Sequence, residues 1–195
     1  MNLLFIISGS IAAIKCKDIL KKLSKKEYHI NCIVTDSAKK IIKIKEINKY
    51  IKGKIYIDSD EKQNKMLHIR LTRKSNLIIV CPATANLIAK YAHGFADDLA
   101  STALIASNKQ VVFMPAMNAE MWNNKINKNN VEILQKTGVE FIGPNYGYLS
   151  CGEVGIGRLA DQDKIIEIIQ NYLKRSTRLR KIKCLVTAGP TIELI

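Results

Sequence analysis

The chain has 195 residues, enough for one ordinary domain or for one domain and a fragment. Its hydrophobic fraction of 47% is ample for a core, and a formal charge of +14, from 31 basic and 17 acidic residues, permits nucleic-acid binding. The lysines, however, are interleaved with isoleucine and asparagine rather than grouped with aromatics, which favours a solvated surface and anionic ligands over a nucleic-acid module. The five cysteines (Cys16, Cys32, Cys81, Cys151, Cys184) form no C-x-x-C pair, so they signal neither a zinc site nor a redox dithiol. The run Leu3-Leu4-Phe5-Ile6-Ile7 has no basic leader and is too short for a signal h-region. No apolar stretch approaches the roughly 20 residues of a membrane span. The expectation is a cytoplasmic protein with neither nucleic acid nor membrane as partner.

Residues 3–7 read as a parallel strand buried on both faces. Ser8, Gly9 and Ser10 follow, then a helix-like segment to about Leu23 with Ile11, Ile14, Ile19, Leu20 and Leu23 as its apolar stripe. Strand, small-residue turn and helix offer backbone N–H groups to a phosphate. The Gly-x-Gly-x-x-Gly fingerprint is missing, so a plain tight turn explains the stretch as well. Residues 30–34 predict the next strand, with Thr35, Asp36, Ser37 and Ala38 as a helix N-cap. Residues 39–65 are rich in lysine and isoleucine and poorly patterned, with one short strand near 55–57.

Leu67 and Leu71 lie one helical turn apart, so an amphipathic helix carries His68. A lone histidine there is usually structural; His29 and His93 belong to no motif and read as surface. Residues 76–81 form a strand ended by Pro82. Ala83, Thr84, Ala85 and Asn86 follow at its carboxyl end, the ligand side of an open α/β sheet. Small residues there let a planar ring approach the backbone, and Thr84 and Asn86 supply hydrogen bonds. Residues 87–91 are helical up to Gly94, and Asp97-Asp98-Leu99-Ala100-Ser101-Thr102 opens another helix, with Asp98 as a capping residue.

Residues 111–114 are a buried strand stopped by Pro115. Asn118 sits just past its carboxyl end with a donor and an acceptor for a polar substrate group, and Met121 and Trp122 offer an apolar wall. The competing reading makes Asn118 a helix cap and Met121 and Trp122 core. A helix over 128–137 and a strand over 139–142 follow, broken by Gly143-Pro144. Three glycines (Gly152, Gly155, Gly157) beside Cys151 predict a mobile loop that closes over substrate, with the thiol as a proton donor. The alternative is a surface loop with an incidental cysteine. Residues 161–173 form a last amphipathic helix, and 174–183 a basic stretch without an apolar stripe.

Pro115-Ala116-Met117-Asn118-Ala119-Glu120-Met121-Trp122 resembles the Pro-x-Met-Asn-x-x-Met-Trp signature of the flavin-containing cysteine decarboxylases. That family includes the phosphopantothenoylcysteine decarboxylases of coenzyme A biosynthesis and the peptidyl-cysteine decarboxylases of lantibiotic maturation. Gly9-Ser10-Ile11-Ala12 is similar to its flavin-phosphate turn, and Pro82-Ala83-Thr84-Ala85-Asn86 to its second flavin motif. Leu67-His68-Ile69 resembles the context of its essential histidine, and Cys151-Gly152-x-x-Gly155-x-Gly157 its substrate clamp. The resemblance spans residues 3–173, although 39–65 carry none of it. It implies an α/β fold, a Rossmann-like doubly wound parallel sheet flanked by helices, in a decarboxylase domain of residues 1–174. Residues 175–183 would be a linker. Residues 184–195 resemble the opening of a phosphopantothenate–cysteine ligase domain, which favours coenzyme A over lantibiotics and leaves room for a separate ligase chain.

The resemblance also implies the cofactor, flavin mononucleotide (FMN). Its contacts would be Gly9, Ser10 and Ile11; Thr35 and Ser37; Pro82, Ala83, Thr84, Ala85 and Asn86; and Ser101. The implied reaction takes a phosphorylated small molecule, 4′-phosphopantothenoylcysteine, to 4′-phosphopantetheine and CO₂. Direct loss of CO₂ would leave an unstabilised carbanion. Oxidation of the cysteine to a thioaldehyde places C=S β to the carboxylate, and the enethiolate formed is reduced again by the same flavin. By resemblance His68 is base or orienting group, Asn118 holds the carboxylate with Met121 beside it, and Cys151, with Gly152 in the clamp, supplies a proton. Self-association into trimers, or dodecamers of trimers, is implied, with flavin near subunit contacts. A lantibiotic-type decarboxylase should lack the ligase-like tail. A flavin prenyltransferase normally lacks the Asn118 octapeptide and the Cys151 clamp. A non-catalytic regulatory relative usually loses a catalytic residue, whereas His68, Asn118 and Cys151 are all present.

Overall fold

A computed structural model describes residues 1–178. Apolar runs become the central strands β1 (Asn2–Ile7) and β2 (His29–Val34), which pair in parallel. Between them lie a 3-10 turn (Ile11–Lys15) and helix α1 (Cys16–Ser24). After β2 come α2 (Asp36–Lys39), α3 (Ile44–Asn48), the short edge strand β3 (Ile55–Tyr56) and α4 (Asp58–Gln63). Helix α5 (Leu67–Lys74) leads into β4 (Leu77–Ala83), then α6 (Ala85–Ala92), α7 (Leu99–Ile105) and β5 (Val111–Pro115). Helices α8 (Ala119–Asn123) and α9 (Lys125–Lys136) precede the last sheet strand, β6 (Glu140–Phe141). An antiparallel hairpin of β7 (Asn145–Tyr148) and β8 (Val154–Arg158) stands apart from the sheet, and α10 (Gln162–Arg178) follows.

The six-stranded sheet has the order β3-β2-β1-β4-β5-β6, with every pair parallel. This is the doubly wound order whose direction reverses between β1 and β4, and ligands bind at the carboxyl ends beside that switch point. Alternation along β1 explains its unbroken apolar run. Leu3, Phe5 and Ile7 enter one core with Ile19, Leu20 and Leu23 of α1 and Ile165 and Ile169 of α10. Leu4 and Ile6 enter the other, with Leu67 and Leu71 of α5, Ile88 of α6 and Leu104 of α7. Phe113 anchors that second core between Tyr91 and Phe141, at centroid distances of 5.9 and 5.4 Å. Among the described residues, no helix is long and apolar enough to cross a membrane.

Five local expectations are corrected. The segment from Ile11 to Leu23 is two elements, because the 3-10 turn has three residues per turn and breaks the stripe. Ile11 and Ile14 are therefore 54% and 56% exposed instead of buried. The 150–158 stretch is half hairpin strand rather than a loop, since its glycines serve close packing. A Cβ at Gly157 would collide with the Met117 carbonyl oxygen, and one at Gly155 would lie 2.6 Å from the Ala119 Cβ. Residues 39–65 hold two short helices besides the strand. Pro82 lies inside β4, where the pairing with β5 shifts register between Val80 and Ala83. Helix α10 runs to Arg178, into the stretch expected to be linker; the ligase-like residues 184–195 lie outside the described residues.

Candidate active site

A cavity of about 990 Å³ opens at the carboxyl ends of β1, β2, β4 and β5. A drug-sized ligand occupies a few hundred Å³, so the volume accommodates a flavin and a substrate together. The turn after β1 is tied to the turn after β4. Ser8 Oγ donates to the Pro82 carbonyl at 2.7 Å, and the Thr84 N–H donates to Ser8 Oγ at 3.1 Å. Gly9 meets the turn after β2 so closely that a Cβ there would collide with the Ser37 Cβ. The result is a narrow cradle of Ser8, Gly9, Ser10, Thr35 and Ser37 on one wall and Thr84, Ala85 and Asn86 on the next. Ser10, Thr35 and Thr84 cap the helical turns that follow, each hydroxyl accepting a backbone N–H, so the capping reading of these residues also holds. Ile11 and Ile14 line the cavity and give it apolar surface for a planar ring.

Some expected contacts are not brought to the cavity. Pro82 and Ala83 are buried in β4, and neither they nor Ser101 line it. Ser101 completes a capping box with Asp98: its N–H donates to Asp98 Oδ1 at 2.7 Å, and its hydroxyl accepts the Asp98 N–H at 3.2 Å. Charged residues that sequence patterns did not single out do line it, among them Lys15, Asp58, Lys90 and Arg158. Lys90 is pinned between Asp97 and Asp98, both at 2.7 Å. Partial burial pushes the Asp58 carboxyl above the usual carboxylate range, although its hydrogen bond from the Leu99 N–H opposes that shift. Only the assembled cavity reveals these groups.

The far wall is the β5–α8 turn covered by the hairpin. Asn118 is the N-cap of α8, with Oδ1 accepting from the Glu120 N–H at 2.7 Å and the Met121 N–H at 3.4 Å. Its oxygen is thus committed to the helix, and its amide nitrogen is left for other partners in a residue that lines the cavity. Nδ2 donates to the Glu153 carboxylate and lies 3.5 Å from Cys151 Sγ, which is itself 3.5 Å from Glu153 Oε2. The cap reading and the ligand reading of Asn118 use different atoms of one side chain. Met121, 49% exposed, lines the cavity, whereas Trp122 is buried under Lys128, whose Nζ is 4.4 Å from the ring centroid. Gly152, at φ +86°, occupies the exposed hairpin tip without lining the cavity.

His68 also lies outside the cavity lining. It lies in the first turn of α5, where Glu61 holds it twice: His68 Nδ1 is 2.6 Å from Glu61 Oε1, and the His68 backbone N–H donates to Oε2 at 3.1 Å. Among the described residues, the cysteines other than Cys151 are inert by position. Cys16, Cys32 and Cys81 are buried, and burial pushes the Cys16 and Cys32 thiols far up.

A family model described as Flavoprotein matches residues 1–174. The probable phosphopantothenoylcysteine decarboxylase of Streptococcus mutans is 37% identical over 176 residues, covering 88% of this chain and 98% of that protein. A solved PPC decarboxylase mutant complexed with pantothenoylaminoethenethiol superposes with a TM-score of 0.83 at 28% identity, covering 89% of this chain and 98% of that one. The FMN binding protein AtHal3 does so with a TM-score of 0.80 at 28% identity, covering 89% and 97%. The chain spans about half the length of the curated bifunctional coenzyme A biosynthesis proteins it also matches, 49% for that of Bacillus subtilis.

Proposed function

The chain belongs to the Flavoprotein family, and on that premise we propose that it decarboxylates 4′-phosphopantothenoylcysteine to 4′-phosphopantetheine with FMN as cofactor. The observation that carries this reading is the corner where the Asn118 amide holds a carboxylate within 3.5 Å of a thiol. A substrate ending in cysteine brings a carboxylate of the same chemistry, and its Cα and Cβ then lie beside Cys151. Held FMN supplies the reversible two-electron chemistry that lets CO₂ leave.

The cavity fits that cofactor. The turn after β1 and the N-termini of the helical turns offer N–H groups and hydroxyls to a phosphate, and Gly9 removes the Cβ that would block the cradle. Ile11, Ile14, Thr84, Ala85 and Asn86 frame the space for the ring system. Asn118 orients the substrate carboxylate, Met121 covers its apolar side, and the Cys151 thiol donates a proton to the carbon that lost CO₂. Lys15 and Arg158 supply positive charge to the cavity for the phosphorylated end of the substrate.

His68 completes the site from a neighbouring copy of the chain. It is outside its own cavity, and exposed apolar side chains, Met66 and Ile69, flank it as subunit contacts require. Self-association as a trimer, or as trimers assembled further, accounts for this arrangement. The ligase step falls to a further domain or a separate chain. Incubating the FMN-loaded protein with 4′-phosphopantothenoylcysteine and following the product by mass spectrometry tests the reading. Loss of one CO₂ is expected; an unchanged substrate with flavin bound would overturn it.

A further inference from the structure

We infer that Glu61 is a positioning residue for the reaction: it fixes the His68 ring as the tautomer protonated at Nδ1, leaving Nε2 bare to accept a proton. This rests on the reading of His68 as the base of the decarboxylation. One carboxylate meets both the ring nitrogen, at 2.6 Å, and the backbone N–H of the same histidine, at 3.1 Å. A carboxylate can only accept, so a neutral ring facing it must carry its proton on Nδ1. Both side chains are largely withdrawn from water, 20% exposed for His68 and 25% for Glu61, which strengthens the contact. Nε2 has no partner among the described residues.

Glu61 is itself rigidly placed. Helix α4 starts where the Ile57 N–H donates to Asp60 Oδ2 at 2.8 Å, and it is tied to α7 by the Leu99 N–H on Asp58 Oδ1 at 3.0 Å. Asp58 lines the cavity, and Glu61 is one turn further on, so the helix links the cavity wall to the histidine. The plainer role of Glu61 is to cap the first turn of α5 through the His68 N–H. Capping alone leaves the ring tautomer without consequence.

Glu61→Gln separates the two roles. Its single carbonyl oxygen still caps α5, while its NH₂ can donate to a bare Nδ1 and so allow the other tautomer. The chain has three histidines, so ¹⁵N-histidine NMR of the FMN-loaded protein resolves the ring. The expected wild-type signal is a protonated Nδ1 and a bare Nε2, replaced by a mixture in Glu61→Gln. Turnover of Glu61→Gln is expected to fall about 10- to 100-fold in kcat, with KM and thermal midpoint close to wild type, the range seen when a group that orients a functional imidazole is lost. A wild-type ring protonated at Nε2 overturns the inference. So does full turnover of Glu61→Gln while His68→Asn is inactive. Full turnover of His68→Asn instead overturns the underlying reading of His68, which makes the two failures distinguishable.

Discussion

The Asn118–Cys151 corner and the Glu61–His68 corner are built on opposite terms. In the first, groups 33 residues apart in sequence meet inside the cavity, through a hairpin laid so tightly on the β5–α8 turn that two glycines are required. In the second, groups seven residues apart are joined locally, by one carboxylate across the α4–α5 connection, outside the cavity of their own chain. The first corner depends on tertiary packing and the second on a short segment. On the proposed reading, a substrate that needs both is served by copies of the chain sharing their sites.

The comparison breaks most readily at the thiol. Cys151→Ser should lower kcat by about 10²- to 10⁴-fold, the usual contribution of a positioned proton donor, while FMN absorbance and fold are unchanged. Stopped-flow turnover with bound-flavin spectra measures both; undiminished turnover would remove Cys151 from the chemistry. Asn118→Asp sharpens the corner further. Aspartate caps a helix as well as asparagine, so the thermal midpoint should hold, but it turns a donor toward the substrate carboxylate into a like charge. Steady-state kinetics should show kcat/KM down by about 10- to 100-fold at that unchanged midpoint.

Gly157→Ala tests the packing that brings the corner together. Its Cβ would meet the Met117 carbonyl oxygen, so the hairpin must shift, at a cost of about 1–3 kcal/mol in denaturant unfolding. The matching loss of turnover should leave the NMR spectrum of His68 unaltered, because the second corner is built separately. The smallest effect belongs to the ion pair between Lys90, which lines the cavity, and the exposed Asp97. Lys90, beside Asp97, holds that carboxyl below the usual range. A lowered folded-state pKa adds stability above the unfolded pKa and loses it as pH falls through the folded value. Asp97→Asn should therefore lower stability slightly at neutral pH and converge on the wild type at low pH, which flattens the acid limb, as urea unfolding at stepped pH would show.

The fold was legible where strands are buried on both faces. Residues 3–7, 77–81 and 111–114 are apolar without interruption because each side chain enters one of two cores. Helix α4 was hidden because it buries none of its residues, so no apolar period marks it, yet it carries Glu61. The hairpin has the composition of a mobile loop because Gly155 and Gly157 answer to a neighbour distant in sequence, and composition cannot separate close approach from freedom. Ile11 and Ile14 fitted a helical period but belong to the cavity. Asn118 is readable as a cap from its position after a strand, while the engagement of its amide nitrogen with Cys151 and Glu153 is visible only in the fold.

Mixing subunits tests the split site most directly. His68→Asn and Cys151→Ser chains, each inactive alone, would be unfolded together, refolded in equal amounts with FMN, and assayed on 4′-phosphopantothenoylcysteine. Random assembly pairs an intact histidine with an intact cysteine from another copy in about one site in four, so roughly a quarter of wild-type turnover should return. Mixed oligomers that form, bind FMN and remain inactive would contradict the account, because every site would then draw both groups from a single chain.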